Sequence, residues 1–400
     1  MGNASCHQVC RCKEKEEILD VLDYKDEKNS NDNNSSPNTE TNSNFDPKSC
    51  KLKKNDIKYQ NFKNAFEKKL PLLGKYISNF EFESLIPEDA RKYMTENILD
   101  ISKYLSSNTK TYELKPIEFI GGNVYKGNWN DYTEMEGYGQ YFLKSDKVLA
   151  EGVWKGGFLI FARVFLPNGD LYEGGFKNSI FNGKGKLTTK NGEIYDGDFI
   201  NGEKTGICTY LFPDGTIYNG QIKNGYFNGQ GNMKWNNGIE YKGNFIKNTL
   251  SGYGILTNLD GEKYEGYFDK NYFNGNGKYV FDNDDVYEGN FEQGKKFGKG
   301  IYLRNDGLIY EGEWFDDLPH GLGKIHYGDT VFKCSFRNGE TVELILKQDG
   351  GYNYQYDLFM NFKPEESFLN NNIFPHLIYE NNNKIVNKYG PGSIPSFLED

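Results

Sequence analysis

The 400-residue sequence has no run of eighteen apolar residues, so no helix read from it is long and apolar enough to span a bilayer. Residues 1–30 hold no apolar stretch of signal-peptide length, which argues against secretion by that route. Proline is scarce at 12 residues and no Gly-X-Y period occurs, which excludes a collagen. Aliphatics are also few, for the hydrophobic share is 36 % although 30 residues are Tyr and 29 are Phe. A doubly wound α/β enzyme needs runs of Val, Ile and Leu in its buried parallel strands, and that class is excluded. Only four histidines are present. His320 and His326 have no convincing partner set, so no catalytic residue, metal or cofactor is expected. The net charge of −10, from 47 basic and 57 acidic residues, has the wrong sign for a nucleic-acid partner. The six cysteines do not form the spread framework of a small disulfide-rich domain. Cys50, Cys208 and Cys334 are scattered. Cys6, Cys10 and Cys12 crowd the start, but His7, Cys10 and Cys12 are too tightly spaced for a usual zinc half-site, and no second pair follows.

What is present begins with Met1-Gly2-Asn3-Ala4-Ser5-Cys6. Removal of Met1 exposes Gly2, the acceptor for N-myristoylation, although Cys6 stands where Ser or Thr is usual. One acyl chain holds a protein to a membrane marginally, and a second signal is needed. Cys6, Cys10 and Cys12 are placed to be palmitoylated once Gly2 reaches the interface. Residues 51–75 carry a local charge of +6. In that stretch Lys51, Lys53, Lys54, Lys58, Lys63, Lys68 and Lys69 are candidates for anionic headgroups. The expected organisation is an acylation motif at 1–12, a low-complexity linker at 13–50, a helical region with the basic patch at 51–120, a repeat array at 121–340 and a C-terminal cap or partner-binding segment at 341–400. Residues 29–44 contain seven Asn; such tracts resemble those of apicomplexan proteins. In 51–120, Ile57, Phe62, Phe66 and Leu70 suggest a helix broken by Pro71. A second helix begins near Pro87, with Glu88 and Asp89 favourable in its first turn, and runs from Ala90 to Leu105.

From 121 onward the chain is periodic. Tyr-x-Gly-x-aromatic, or its relative with Ile222 in the unit at Tyr218, recurs at Tyr172, Tyr195, Tyr218, Tyr241, Tyr264, Tyr287 and Tyr310, six intervals of 23 residues without a slip. Tyr125 begins an earlier unit, and Glu151-Gly152-Trp154 reads as an offset one. Each unit has a second half with Gly-x-Gly, as in Gly183-Lys184-Gly185 or Gly275-Asn276-Gly277. Most units close on Asn-Gly or Asp-Gly, the pairs that favour a type I′ hairpin turn. Of the 46 glycines, 40 lie between 121 and 339. Tyr, Gly and Phe or Trp at i, i+2 and i+4 share one strand face, and a ring from a neighbouring strand is expected to cover the gap a glycine leaves. Departures stand at Phe161 and Arg163 in place of a Gly pair, at Cys208, and at Asn283-Asp284 without the turn glycine; local distortion is expected there. Glu173, Glu265, Glu288 and Glu311 recur on the opposite face, as solvated strand residues or as an acidic docking stripe. Gly289 to Lys295 fits part of a phosphate loop, but Lys296 replaces the magnesium-binding Ser or Thr and the context is a hairpin.

The period, the Tyr-x-Gly-x-aromatic half, the Gly-x-Gly half and the turn pair together resemble the MORN (membrane occupation and recognition nexus) repeat family. The resemblance implies a mainly β fold, an elongated single-layer array of about nine stacked hairpins behind a partly helical N-terminal region. It also implies a non-enzymatic scaffold at the cytoplasmic face of a membrane. Protein partners would line the sheet, and a homodimer is a further implied state. Two alternatives accompany it: a regulatory subunit that presents an enzyme to lipid, and direct phosphoinositide binding by the repeats. The apicomplexan likeness points to the inner membrane complex or cell cortex.

Overall fold

The computed structural model describes residues 57–105 and 109–348, with side chains to residue 343. Those residues are mainly β, with three α-helices and twenty-three strands. The chain divides into two compact units. The first holds the described residues up to Lys190 together with Phe199–Gly202; the second holds Asn191–Asp198 and the described residues from Glu203 on.

In the second unit the element is one antiparallel hairpin repeated. Its plan is clear in Lys263–Asp269 and Tyr272–Val280. Gly266 pairs with Gly277 across the two strands. The Tyr264 ring lies over both glycines, since a Cβ on either would stand within 2.5 Å of its hydroxyl. The expected ring-over-glycine contact therefore forms, but the ring comes from the same strand as the first glycine and reaches across to the second. The Tyr264 hydroxyl donates to the carbonyl of Tyr267 at 2.9 Å. Phe268 meets the ring edge-on at 5.1 Å and Phe273 stacks on it at 3.7 Å. This face, the ring face, buries Tyr218, Tyr241, Tyr264, Tyr287 and Tyr310 completely. Glycine pairing continues strand to strand, from Gly220–Gly231 to Gly312–Gly323.

The turns differ from the expected placement. The Asn-Gly and Asp-Gly pairs that close the repeats, such as Asn191-Gly192 and Asp260-Gly261, do not form type I′ turns, whereas Asn201-Gly202 and Asn224-Gly225, at the other ends of the strands, have both φ values positive. In Phe212–Thr216 the Gly215 N–H donates to Phe212 O at 3.0 Å, and only the glycine has positive φ. That is a turn with a left-handed glycine at its end, the three-residue hairpin form. Type I′ geometry sits at the opposite ends of the strands, where Lys247-Asn248, Lys270-Asn271 and Asp316-Asp317 have both φ values positive. Each reaches back to the preceding hairpin. Asn271 N–H donates to Leu250 O and its side-chain oxygen accepts from Leu250 N–H, at 3.0 and 2.7 Å. Asp284, with φ +66°, takes over where the turn glycine is missing. Cys208 keeps its register opposite Gly220. Local distortion is thus small at both departures.

The first unit contains the same hairpin at Tyr125 and Tyr172, whose hydroxyls donate to the carbonyls of Asn128 and Gly175. Between them the register corrects the sequence alignment. Gly152 lies opposite Ala162, and Ala162 opposite Gly174, so the glycine sites of this repeat are Ile160 and Ala162 and not Phe161 and Arg163. By the same register Ala150 occupies the tyrosine site. The offset arose from aligning Glu151 with tyrosine.

The N-terminal region closes both faces of the first hairpin. Helix α1, Ile57–Leu73, buries Tyr59, Phe62, Phe66 and Leu73, which lie near one face at helical spacing. Phe66 meets Trp129 edge-on at 4.9 Å, and Phe62 stacks on Tyr112 at 4.0 Å. Ile57 is 77 % exposed, and the helix runs on through Pro71, so the expected stripe and break are corrected. Helix α2, Asn79–Leu85, starts with a reciprocal cap between Ser78 and Glu81, which satisfies two end donors at once. Helix α3, Glu88–Glu96, follows Pro87 and carries Glu88 and Asp89 in its first turn as expected, but it ends at Glu96 and leaves Ile98 exposed. Phe82, Ile86 and Ala90 pack with Val124, Phe142 and Leu149 on the face opposite the tyrosines, the open face. Short strands Tyr112–Glu113 and Ile117–Phe119 pair with Val124–Trp129, which covers an edge that would otherwise template further strands.

Candidate functional site

The ring face is sealed. Burial pushes the hydroxyls of Tyr218, Tyr241, Tyr264, Tyr287 and Tyr310 well above the ordinary phenol value. Burial likewise pushes the Cys208 thiol up to about 12, which suppresses the reactive thiolate. Buried acids on this face meet tyrosines: Tyr302 donates to Asp285 at 2.5 Å and Tyr210 to Glu193 at 3.2 Å. Lys296 is buried, with its ammonium 4.8 Å from the Phe281 ring and 5.5 Å from that of Trp314, a cation–π arrangement. Among the described residues no group of three or more His, Cys, Asp or Glu is placed to hold a metal, and no helix is long and apolar enough to cross a membrane. The Gly289–Lys295 segment lies across strands Val286–Glu292 and Lys295–Leu303, joined by a tight turn at Gln293-Gly294. It has no helix whose N-terminus could cradle a phosphate.

The open face of the second unit is different. Glu265 stands between Ile255 and Lys278, Glu288 between Lys278 and Ile301, and Glu311 between Ile301 and Lys324. The glutamates thus belong to a row with cations and aliphatics, and no acidic stripe forms. Hydrogen bonds from Lys263 and then Tyr253 hold the Glu265 carboxyl below its ordinary value. Large apolar side chains reach solvent here. Tyr253 and Tyr267 are each 52 % exposed and meet edge-on at 5.6 Å. Ile207, Ile301 and Leu322 are exposed on the same face. His326 lies 3.8 Å from Glu311.

The open face of the first unit is occupied by α2 and α3. Arg163, 2 % exposed, lies 3.6 Å from Glu151 and 3.3 Å from Glu173. It donates to the carbonyl of Asn97 at 2.8 Å and lies over the Tyr93 ring. Glu173 is therefore an ion-pair partner of a buried cation, not a free strand residue.

Of the candidate membrane residues, Lys58, Lys63, Lys68 and Lys69 lie on α1. Lys58 and Lys68 are exposed, and Lys63 pairs with Glu67 at 3.7 Å. Gly2, Cys6, Cys10, Cys12, Lys51, Lys53 and Lys54 lie outside the described residues, as do His7 and Cys50. Lys75, the last lysine of the basic stretch, and Lys144, which the sequence pattern does not single out, join this basic end: both pair with Glu118, at 3.1 and 3.5 Å. The hydrogen bond from Lys75 holds the Glu118 carboxyl below its ordinary value.

The sequence model of the MORN repeat matches seven consecutive segments, 172–194, 195–217, 218–240, 241–263, 264–286, 287–309 and 310–330. The chain therefore carries MORN repeats, a repeat type associated with membranes and with protein binding. No curated protein sequence matches it. Among solved structures it is similar to the TCP domain of Drosophila melanogaster SAS-4 (dCPAP) in complex with a proline-rich motif of Ana2, at 16 % identity, over 41 % of this chain and 94 % of that one, with a TM-score of 0.26. It is also similar to the TCP10 domain of Danio rerio CPAP with a STIL peptide, at 12 % identity, 57 % and 99 % coverage and a TM-score of 0.23. Virginiamycin B lyase of Staphylococcus aureus matches at 12 % identity, 58 % and 84 % coverage and a TM-score of 0.12. Likenesses at this level bear on no function of this chain.

Proposed function

We propose that the chain is a non-enzymatic scaffold held peripherally on the cytoplasmic face of a membrane, with protein partners docked along the open face of its repeats. An acyl chain on Gly2 and further chains on Cys6, Cys10 and Cys12 supply the anchor, with Lys51, Lys53, Lys54 and the α1 lysines as electrostatic support. The inner membrane complex or cell cortex is the proposed address. The observation that carries the scaffold reading is the open face of the second unit, where Ile207, Tyr253, Tyr267, Ile301 and Leu322 stay exposed although the opposite face is fully packed. Exposed aromatic and aliphatic side chains among paired charges are the composition of a protein-binding surface.

Affinity purification of the full chain from cells tests it. The wild type should retain stoichiometric partners, and Tyr253→Ser/Tyr267→Ser/Leu322→Ser should lose them while keeping its β circular dichroism. Partners that survive all three changes would move docking elsewhere. Gly2→Ala should shift the protein from the membrane to the soluble fraction; unchanged fractionation would remove the acyl anchor.

A further inference from the structure

Two aliphatic side chains at the basic end of the first unit stand mostly in solvent. Leu72, in the last turn of α1, is 74 % exposed, and Ile120 is 71 % exposed. They are neighbours through the backbone, for Ile120 N–H donates to the carbonyl of Leu73 at 3.0 Å. Ile120 leads a tight turn in which Gly122 N–H returns to Phe119 O at 2.8 Å and Gly122 has φ +85°. Later turns of this form in the unit have Asp131 and Pro167 at the same place, with Thr133 N–H returning to Asn130 O and Gly169 N–H to Leu166 O.

Lysines surround the pair. Lys68 and Lys69 precede Leu72 by four and three residues, so they share its helix face. Lys75 and Lys144 flank the turn through Glu118, and Lys144 N–H donates to the Asn123 side chain at 3.2 Å. Lys147 is exposed in the adjoining turn. The carboxylates at this end include Glu118, shared by two of the lysines, Asp146, which accepts from Ser145 at 2.9 Å, and Glu81, which Lys75 also faces, while Glu67 on α1 is paired with Lys63. Lysines thus outnumber the carboxylates around the pair.

We propose that Leu72 and Ile120 form a membrane-inserting tip and that the lysines around them dock it on an anionic lipid surface. The arrangement suits a bilayer interface: two aliphatics stand out from the fold, and long cationic side chains can lay their stems on the acyl boundary with their heads among phosphates. The apolar face of α1 is buried against Tyr112 and Trp129, so the helix does not lie in the membrane; its end and the neighbouring turn touch it. The inference rests on the membrane-anchored reading and adds a lipid contact made by folded residues.

The test uses the full chain carrying Gly2→Ala, so that no myristoyl group contributes, with phosphatidylcholine vesicles that contain or lack phosphatidylserine. The parent should sediment with the anionic vesicles and far less with neutral ones. Leu72→Asp/Ile120→Asp should weaken that binding about tenfold or more, and Lys68→Glu/Lys144→Glu should weaken it comparably. All four positions are at the surface, and unchanged circular dichroism confirms the fold of each variant. Ile120→Trp should add fluorescence that lipid-borne quenchers suppress. Equal binding by the Leu72→Asp/Ile120→Asp chain, or an Ile120→Trp signal the lipids leave unquenched, overturns the tip. The acyl anchor fails separately, through unchanged fractionation of Gly2→Ala in cells, and that result leaves the vesicle outcome standing.

Discussion

At the scale of single residues, the repeat exchanges a Cβ for a ring. A Cβ on Gly277 would meet the Tyr264 ring at 2.4–2.6 Å and no backbone atom nearer, whereas one on Gly266 would meet both the ring and Gly277 Cα. Where the ring is absent, at Ala150, the opposing glycine is replaced by Ala162. Cys208 carries a Cβ beneath Tyr195, but there Lys204 replaces the stacked phenylalanine, so the ring is not clamped as Tyr264 is by Phe273. These cases predict a coupling. Gly277→Ala should cost about 1–3 kcal/mol by overpacking. In a Tyr264→Ala background the same change should cost much less, while Gly266→Ala should stay costly in both. A double-mutant cycle on urea midpoints measures this, and additivity of Gly277→Ala with Tyr264→Ala would refute the exchange. Tyr264→Phe removes only the hydroxyl bond to Tyr267 O and should cost about 1 kcal/mol.

At the scale of elements, Arg163 shows what the helices add. It joins two strands to the end of α3 through Glu151, Glu173 and the carbonyl of Asn97. Arg163→Ala leaves Glu151 buried beside no cation and should cost about 3–5 kcal/mol. Amide exchange in α3 should quicken more than in the Tyr264 hairpin; equal protection of α3 in both proteins would mean the helix is held by the apolar packing of Ala90, Tyr93 and Met94. The same element marks the border of what the sequence discloses. Hairpins were legible because Tyr, Gly and Phe recur at fixed spacing and each demands a local geometry. The register of one repeat was not, because Ala150 and Ala162 resemble no motif until the strands are paired. Turn type was misplaced because Asn-Gly serves both hairpin forms, and the choice lies in backbone bonds to the preceding strand. Helix faces in 57–96 were half legible: Phe62 and Phe66 are buried as their spacing implies, but Ile57 and Ile98 have no sheet beneath them. The exposed pair Leu72 and Ile120 carries no periodic signal at all, since it is a meeting of a helix end with a turn far along the chain.

At the scale of the whole chain, the repeated tyrosines give stability a common dependence on pH. Burial raises the hydroxyls of Tyr125, Tyr172, Tyr195, Tyr218, Tyr241, Tyr264, Tyr287 and Tyr310 above the ordinary value of 10.0. In the unfolded chain they ionise near that value. Below it both states are neutral and the buried tyrosines contribute their full stability. Above it the unfolded state loses protons that the folded state keeps, and stability falls as pH rises toward the folded-state values. Each tyrosine that ionises only on unfolding removes about 1.4 kcal/mol per pH unit, and in a repeat array such contributions accumulate along neighbouring units. The expected result is a β circular dichroism signal that is level up to about pH 10 and then collapses together with a steep rise in tyrosinate absorbance. Tyrosinate forming at all eight positions while the β signal persists would mean that water reaches the hydroxyls in the folded state, and that the rings do not seal the glycine pairs beneath them.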